Sequence, residues 1–535
     1  VLALLCVVGF LVFLMAPSHW PTHRHDVWLE VASVVIALNT SVIAFFILVN
    51  VGTMARATML ARDPVPVSAQ KGLRVAFLTT IVPDKEPLGM VRRTLEAARR
   101  IEYKGHLDVW LLDEGNELAV REVCEELDVH HFTRDGVERW NRPKGAFKAK
   151  SKHGNYNAWL DEHGDDYDVL ISVDPDHVPM KNFARRFLGY FRDPDVAFVV
   201  GPQVYGNYNG FVTRAAESQQ FLFHSVLQRA GNNTRSPMLV GTNNAVRISA
   251  LRAIGGFQDS VTEDLATSLE IHAARNPQTG RHWTSVYTPD VIAVGEGPST
   301  FSDFFSQQYR WALGANFIAL RRFWRIAHRL PPRQAINYAL LLSYYPTTAI
   351  AWMLGVLSCA LYLTMGATGL RVPGHLWLML YADTAALQVG LYTWNRRHNV
   401  SPHEAVGSKG VAGMFISMLA TPVYVSSLIG AVTGRRTGFV VTSKGAAASR
   451  DNVGTFRRHL QWGGTMCALL LAGSWLKHDN LWIHVWAFIS LAVCLVPIVI
   501  WVLSPGRGAG PKLRRERAPH PQARTPRLAE GVEAL

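Results

Sequence analysis

Long apolar runs bracket a charged middle in this chain, and that arrangement limits the possible folds more than any other feature. Residues 27–51 and 481–503 are long enough to cross a bilayer as helices, which takes about 20 apolar residues. Residues 1–17 form a shorter run, joined to the next by a polar loop at 18–26. Further apolar regions lie at 334–366, 374–394 and 459–476. Such a chain cannot be a single soluble globule.

Basic residues set an expected orientation. Arg56, Arg62 and Lys71 follow the second run, Arg396 and Arg397 follow 374–394, and Arg435, Arg436, Arg457 and Arg458 precede 459–476. By the positive-inside rule all of these face the cytoplasm, so 334–366 crosses once. Residues 411–432 are less apolar, Gly-rich and Pro-containing, and read as an interfacial helix. The tail 504–535 reads as a basic disordered segment. The net charge of +13 is largely this flanking excess, which argues against nucleic acid as a partner. Five cysteines, four of them inside apolar runs, show no metal-ligand spacing. The chain opens on Val1 within an apolar run, so further residues are expected upstream.

The middle reads as α/β. Strand-like runs at 74–80, 107–112, 169–173 and 196–200 alternate with helix-like segments such as 88–100 and 181–191. That alternation predicts a mostly parallel sheet covered by helices. Ligands of such sheets bind beyond the carboxyl ends of the strands, where Asp113, Asp174 and Asp176 fall. The expected organisation is two spans in 1–55, a cytoplasmic domain at 70–300, an amphipathic interface helix at 301–330, and about four spans in 334–503.

Each candidate site has a bland reading beside the chemical one. Asp174-Pro175-Asp176-His177 ends a strand; paired carboxylates hold a hard cation, but a strand-end turn also favours Asp. Thr262-Glu263-Asp264 follows Gly255-Gly256-Phe257 and supplies a candidate general base, or simply a helix N-cap. Residues 439–444, with Thr442 and Lys444, suit a phosphate or anionic lipid. Gln307, Arg310 and Trp311 stand at i, i+3 and i+4, on one helical face, where the charged middle meets the apolar half. An amide, a guanidinium and an indole together suit hydroxyls, phosphate and a sugar ring.

Taken in order, these pieces resemble the processive family 2 glycosyltransferases, and within them the cellulose synthase catalytic subunits. The family pattern D, DxD, TED and QxxRW is met by Asp113, Asp174-Pro-Asp176, Thr262-Glu263-Asp264 and Gln307-Gln-Tyr-Arg310-Trp311. Lys152-His-Gly-Asn-Tyr-Asn157 and the Phe439-Val-Val-Thr442-Ser-Lys444 gating loop fit as well. One departure is Glu114, where the family commonly has a second Asp.

The resemblance implies a GT-A-type α/β glycosyltransferase domain inserted in an α-helical transmembrane bundle. It implies that Thr80, Asp113, Lys152, Asp174, Arg310, Thr442 and Lys444 bind the nucleotide sugar. Asp174, Asp176 and His177 would hold Mg²⁺ or Mn²⁺, and Asp264, with Thr262 and Glu263, would be catalytic. Gln307 and Trp311 would bind the acceptor. The implied reaction is polymerisation of a β-1,4-linked glucan from UDP-glucose, with translocation of the chain across the inner or plasma membrane. Envelope or accessory polysaccharide-processing proteins are the implied partners. Alternatives are a mannan, chitin or hyaluronan-type synthase, a lipid-carrier glycosyltransferase, and a transporter or receptor with a degenerate enzyme domain.

Overall fold

The structure is a computed structural model describing residues 2–21, 26–83, 85–208, 210–398, 400–404, 407–435 and 449–504. It opens with helices α1 (Leu2–Leu14) and α2 (Val27–Leu60), the second capped by the Asp26 carboxylate. The α/β part follows: β1 (Arg74–Ile81), α3 (Leu88–Ala98), β2 (His106–Asp113), α4 (Leu118–Glu126), β3 (His130–Thr133), α5 (Lys152–His163) and β4 (Val169–Ser172). It continues through β5 (Val178–Pro179), α6 (Phe183–Phe187), β6 (Val196–Val200), α7 (Phe211–Leu222), α8 (Arg229–Thr234) and β7 (Asn244–Arg247). It closes with α9 (Ile248–Ala253), α10 (Glu263–Ala273), β8 (Thr284–Tyr287) and β9 (Ala293–Val294).

Strands β1 to β4 and β6 to β8 make one sheet of order β3-β2-β1-β4-β7-β6-β8, while β5 pairs with β9 separately. β1 explains why the core has two faces. Val75 and Phe77 enter one apolar cluster and Ala76 and Leu78 the other, so every second side chain meets a different helical layer. The sheet is mixed and mostly parallel, as the alternating pattern predicts. β7 is the exception, antiparallel to both β4 and β6. It went unread in the sequence because four residues carry no usable period. Its consequence is large: running backwards, β7 begins at the edge where β1, β2, β4 and β6 end. The stretch 239–243 is thereby delivered to that edge.

The apolar half comprises α11 (Phe301–Phe317), α12 (Phe323–Ile326), α13 (Pro332–Met365), α14 (Gly374–His398), α15 (Val411–Leu419), α16 (Thr421–Val432), α17 (Arg457–Trp475) and α18 (Leu481–Leu503). Among the described residues α2, α13 and α18 are each long and apolar enough to cross a membrane. α1, at 13 residues, is shorter than a bilayer requires.

Two segments are less regular than their sequence suggests. Residues 301–329 are helical throughout, but α11 passes into a π-helical turn at Ile318–Arg322 before α12. That wider turn sends Arg321 to the Ala431 carbonyl and Arg322 to Glu270, at 3.2 and 2.8 Å. α11 does not lie bare on a surface: Phe301, Phe304, Phe305 and Ala312 are buried in a cluster with Val423 and Leu428 of α16. Residues 411–432 are likewise two helices, bent by 49° where Pro422 opens α16.

Candidate active site

The parallel register places three expected residues at one edge. Ile81 pairs with Asp113, which sets Thr80 beside the end of β2, and Leu78 pairs with Ser172, two residues before Asp174. Asp113 is fully buried and its carboxylate is already engaged. It accepts from the Gly115 and Glu117 N–H groups at 2.8 and 3.0 Å and lies 3.1 Å from His131 Nε2. Its first task is to close its own turn.

Glu114 acquires a reason here. The buried Arg134 meets it through Nε and Nη2 at 3.1 and 2.7 Å, and donates to the carbonyls of Trp140, Lys148 and Ser151. A guanidinium with its donors spent on one carboxylate and three carbonyls fixes the 140–151 loop. Asp would be a methylene too short to reach it. No sequence period announces this pair, since its members are 20 residues apart.

That loop ends on Ser151, whose hydroxyl caps α5 and presents Lys152. Lys152 Nζ donates to Asp174 Oδ1 at 2.5 Å and to the Gly241 carbonyl at 2.6 Å. Burial is the largest single influence and works against the ammonium, but the charges of Asp174, Tyr156 and Glu263 and the Asp174 hydrogen bond together outweigh it and hold Lys152 above the usual lysine value. Further along α5, Asn157 clamps the Gly256-Phe257 turn, accepting from the Phe257 N–H at 2.7 Å and donating to its carbonyl at 2.8 Å. Two motifs far apart in sequence are therefore one contact.

Asp174, Asp176 and His177 offer ligand atoms that all lie within 4.8 Å of one another. Both His177 ring nitrogens are buried without a hydrogen bond. A Cβ on Gly295 would sit 2.2 Å from the ring, so only glycine lets the 295 backbone pass beside it. An acidic pair with an imidazole whose Nδ1 lies 3.4 Å from Asp176 Oδ1 and makes no hydrogen bond fits a hard or borderline divalent cation.

Thr262 occupies the N-cap position of α10 without a side-chain cap bond, and its hydroxyl is buried and unpartnered. Capping does not explain this triplet. Asp264 accepts from Gly241 N–H at 3.0 Å and from Leu265 N–H at 2.8 Å. Around the Gly241 Cα the groups converge: a Cβ there would lie 3.6 Å from Asp264 Oδ2, 3.7 Å from Glu263 Oε1 and 3.8 Å from Lys152 Nζ. Burial, then the Asp264 charge, pushes Glu263 up to about 7. Asp264 is raised as well, again chiefly by burial.

α11 seats the last group. Gln307 Nε2 donates to the Tyr205 hydroxyl at 3.4 Å, a partner no motif suggested. Burial lowers the Arg310 pKa, and the charges of Glu263 and Asp174 oppose the shift. Trp311 is partly exposed. Gly314 lies one turn on, and a Cβ there would meet Thr262 Cγ2 and Oγ1 at 2.4 Å. Gly314→Ala should therefore wedge α11 off α10. The expected cost is about 1–3 kcal/mol, read as a lower unfolding temperature in detergent with transfer falling alongside. Thr442 and Lys444 lie outside the described residues.

Comparison with known proteins follows the same lines. The description "Glycosyl transferase family 2" matches residues 81–255 and "Glycosyl transferase family group 2" matches 169–389. The chain belongs to glycosyltransferase family 2. Its mixed sheet with the acidic edge is the GT-A arrangement. The chain is 28% identical, over 53% of its own length, to a cellulose synthase catalytic subunit (UDP-forming) of Xanthomonas axonopodis pv. citri. It is 29% identical, over 38%, to a probable glucomannan 4-beta-mannosyltransferase of Oryza sativa subsp. japonica. These matches span only 37% and 38% of the relatives' own lengths. Among solved structures, a mannosyltransferase from Pyrobaculum calidifontis in complex with GDP-Man and Mn²⁺ is similar at 16% identity and a TM-score of 0.49, covering 75% of this chain and 100% of that one. The chain is a membrane-associated, cellulose synthase-like member of the family.

Proposed function

We propose that this glycosyltransferase is a processive, inverting β-glucan synthase that uses UDP-glucose and passes its product through the apolar half of the chain. One observation carries the reading. Asp264, Glu263 and Lys152 converge at Gly241, Lys152 also binds Asp174, the Glu263 and Asp174 charges act on Arg310 of α11, and α11 leads through α12 directly into the membrane-length α13. A site that only decorates a soluble acceptor has no need of that continuity.

In this reading Thr80, Asp113 and Lys152 bind the nucleotide, joined by Thr442 and Lys444. Asp264 takes the proton of the acceptor hydroxyl, and Arg310 stabilises the leaving diphosphate. Gln307 and Trp311 hold the terminal sugar. Asp174, Asp176 and His177 would hold Mg²⁺ or Mn²⁺, which when bound supplies charge neutralisation for the diphosphate. Attack on the anomeric carbon opposite the leaving group gives a β-linkage from an α-linked donor. The proposed placement has the GT-A domain on the cytoplasmic side of the inner or plasma membrane, two helices before it and about four spans after it.

The rice relative is named for mannosyl transfer, so a β-mannan made from GDP-mannose is the second reading. Protein purified in detergent and offered Mg²⁺ or Mn²⁺ with UDP-glucose, UDP-N-acetylglucosamine or GDP-mannose separates them. UDP release with a β-1,4-glucanase-sensitive polymer from UDP-glucose supports the first reading. Turnover of another donor, or sugar recovered only on lipid, overturns it.

The raised carboxyls predict a pH dependence. A base must be ionised, so kcat/KM, which reports the free enzyme, should rise with pH along an acid limb displaced upward from the ordinary carboxylate range. Lys152→Met removes a charge that favours both carboxylates and should move that limb to higher pH. Stability runs the other way. A carboxyl raised in the fold binds its proton more tightly there than in the unfolded chain. Its contribution is therefore complete below the ordinary carboxylate value and is lost as pH climbs towards about 7.

A further inference from the structure

We infer that Tyr338, in the first turns of the membrane helix α13, is a positioning residue for the base site. Its hydroxyl lies 2.7 Å from Ser268 Oγ and 2.6 Å from His272 Nδ1, both on α10. All three side chains are at most 1% exposed. Ser268 and His272 stand one and two turns beyond Asp264 along α10, at i+4 and i+8.

Every proton in this cluster can be assigned. Ser285 Oγ is 2.8 Å from the Pro237 carbonyl, which can only accept, so the Ser285 proton lies there. His272 Nε2, 2.9 Å from the same oxygen, must then be the donor to it. Burial holds the imidazole neutral, with its pKa lowered to about 3, so Nδ1 is bare and accepts from Tyr338. Ser268 donates to the Tyr338 oxygen and accepts from the Leu239 N–H at 3.1 Å. The relay starts on the backbone of 239 and ends on the backbone of 237, with no donor left over.

Its place gives it a role beyond holding two helices together. The 237–239 backbone runs into Gly241, whose N–H binds Asp264 Oδ2 and whose carbonyl binds Lys152 Nζ. Tyr338 thus ties α13 at once to the helix that carries the base and to the strand lead-in that fixes the base carboxylate. Apolar packing of Leu265, Leu269 and Leu342 surrounds the same contact. The orientation of Asp264 depends on where a membrane helix sits.

The inference rests on Asp264 being the general base. Its test uses the full chain in detergent with Mn²⁺ and the donor the wild type turns over, with competent sites counted by UDP binding. In Tyr338→Phe, kcat per UDP-binding site should fall about tenfold or more while KM for the donor stays within about twofold. Ser268→Ala cuts the same relay from the other side and should show the same split. Leu342→Val, which only loosens packing, should reduce the number of sites and leave turnover per site unchanged. Unchanged turnover per site in Tyr338→Phe, a rise in KM alone, or loss of UDP binding in both relay variants overturns the inference. A wild type idle with every donor overturns the reading beneath it instead.

Discussion

Asp264→Asn should bind UDP as the wild type does and transfer sugar about 10²–10⁴-fold more slowly, the usual range for a lost general base. The substitution is nearly isosteric, but it is not silent in the ground state. Oδ1 and Oδ2 each accept a backbone N–H, from Leu265 and from Gly241. An amide can keep one of these and must turn its NH₂ on the other. A hydrogen bond lost from an ionised carboxylate is worth about 1.5–3 kcal/mol, a ground-state cost that would weaken UDP binding or stability rather than turnover per bound site. UDP binding measured beside turnover separates the two: an intact UDP affinity with turnover lost places the effect in proton transfer. Glu263 sits close by with a carboxyl raised to about 7. Glu263→Gln should leave a measurable rate, because Glu263 lacks the two backbone donors that aim Asp264.

The second large effect is at the other end of the site. Trp311→Ala should stop elongation and spare UDP. One indole face covered by a sugar removes roughly 100 Å² from water, half of what a buried aromatic contributes. At about 25 cal/mol per Å² that is about 2.5 kcal/mol, or roughly seventyfold in acceptor affinity at 1.36 kcal/mol per decade. The loss should appear as a fall in product length and as uncoupled hydrolysis of the donor. Nothing places Trp311 against the carboxylate cluster, so the donor side is expected to stand. Trp311→Phe keeps a smaller face and should restore part of the length.

Local pattern and long-range contact differ in how far they could be read. β1 was legible because its residues are apolar on both faces, and Asp113 and Asp174 because they end such runs. β3 and β7 were not: His130–Thr133 is mixed, and Asn244–Arg247 is too short for a period. The motif residues Lys152, Asp174, Glu263 and Asp264 do come together, yet the contact that organises them is the Gly241 backbone, which no motif includes. Arg134 with Glu114, Tyr205 with Gln307 and Tyr338 with His272 were invisible for one reason. Each joins residues 20 to 102 positions apart, and single-sequence periodicity reports only neighbours on one element. Thr262 shows the opposite failure, since its spacing fits a cap that its side chain does not make.

The central claim is processive polymerisation at the Asp264 site, and a pulse–chase measures it. Purified protein with Mg²⁺ is given labelled UDP-glucose for less time than most molecules need to begin, then chased with a large excess of unlabelled donor. The account predicts that label is extended into long, β-1,4-glucanase-sensitive chains on few molecules, with short products absent at every time and no label in Asp264→Asn. Label confined to mono- or disaccharide products that lengthen only as all acceptors lengthen together, or label retained in Asp264→Asn, would contradict it.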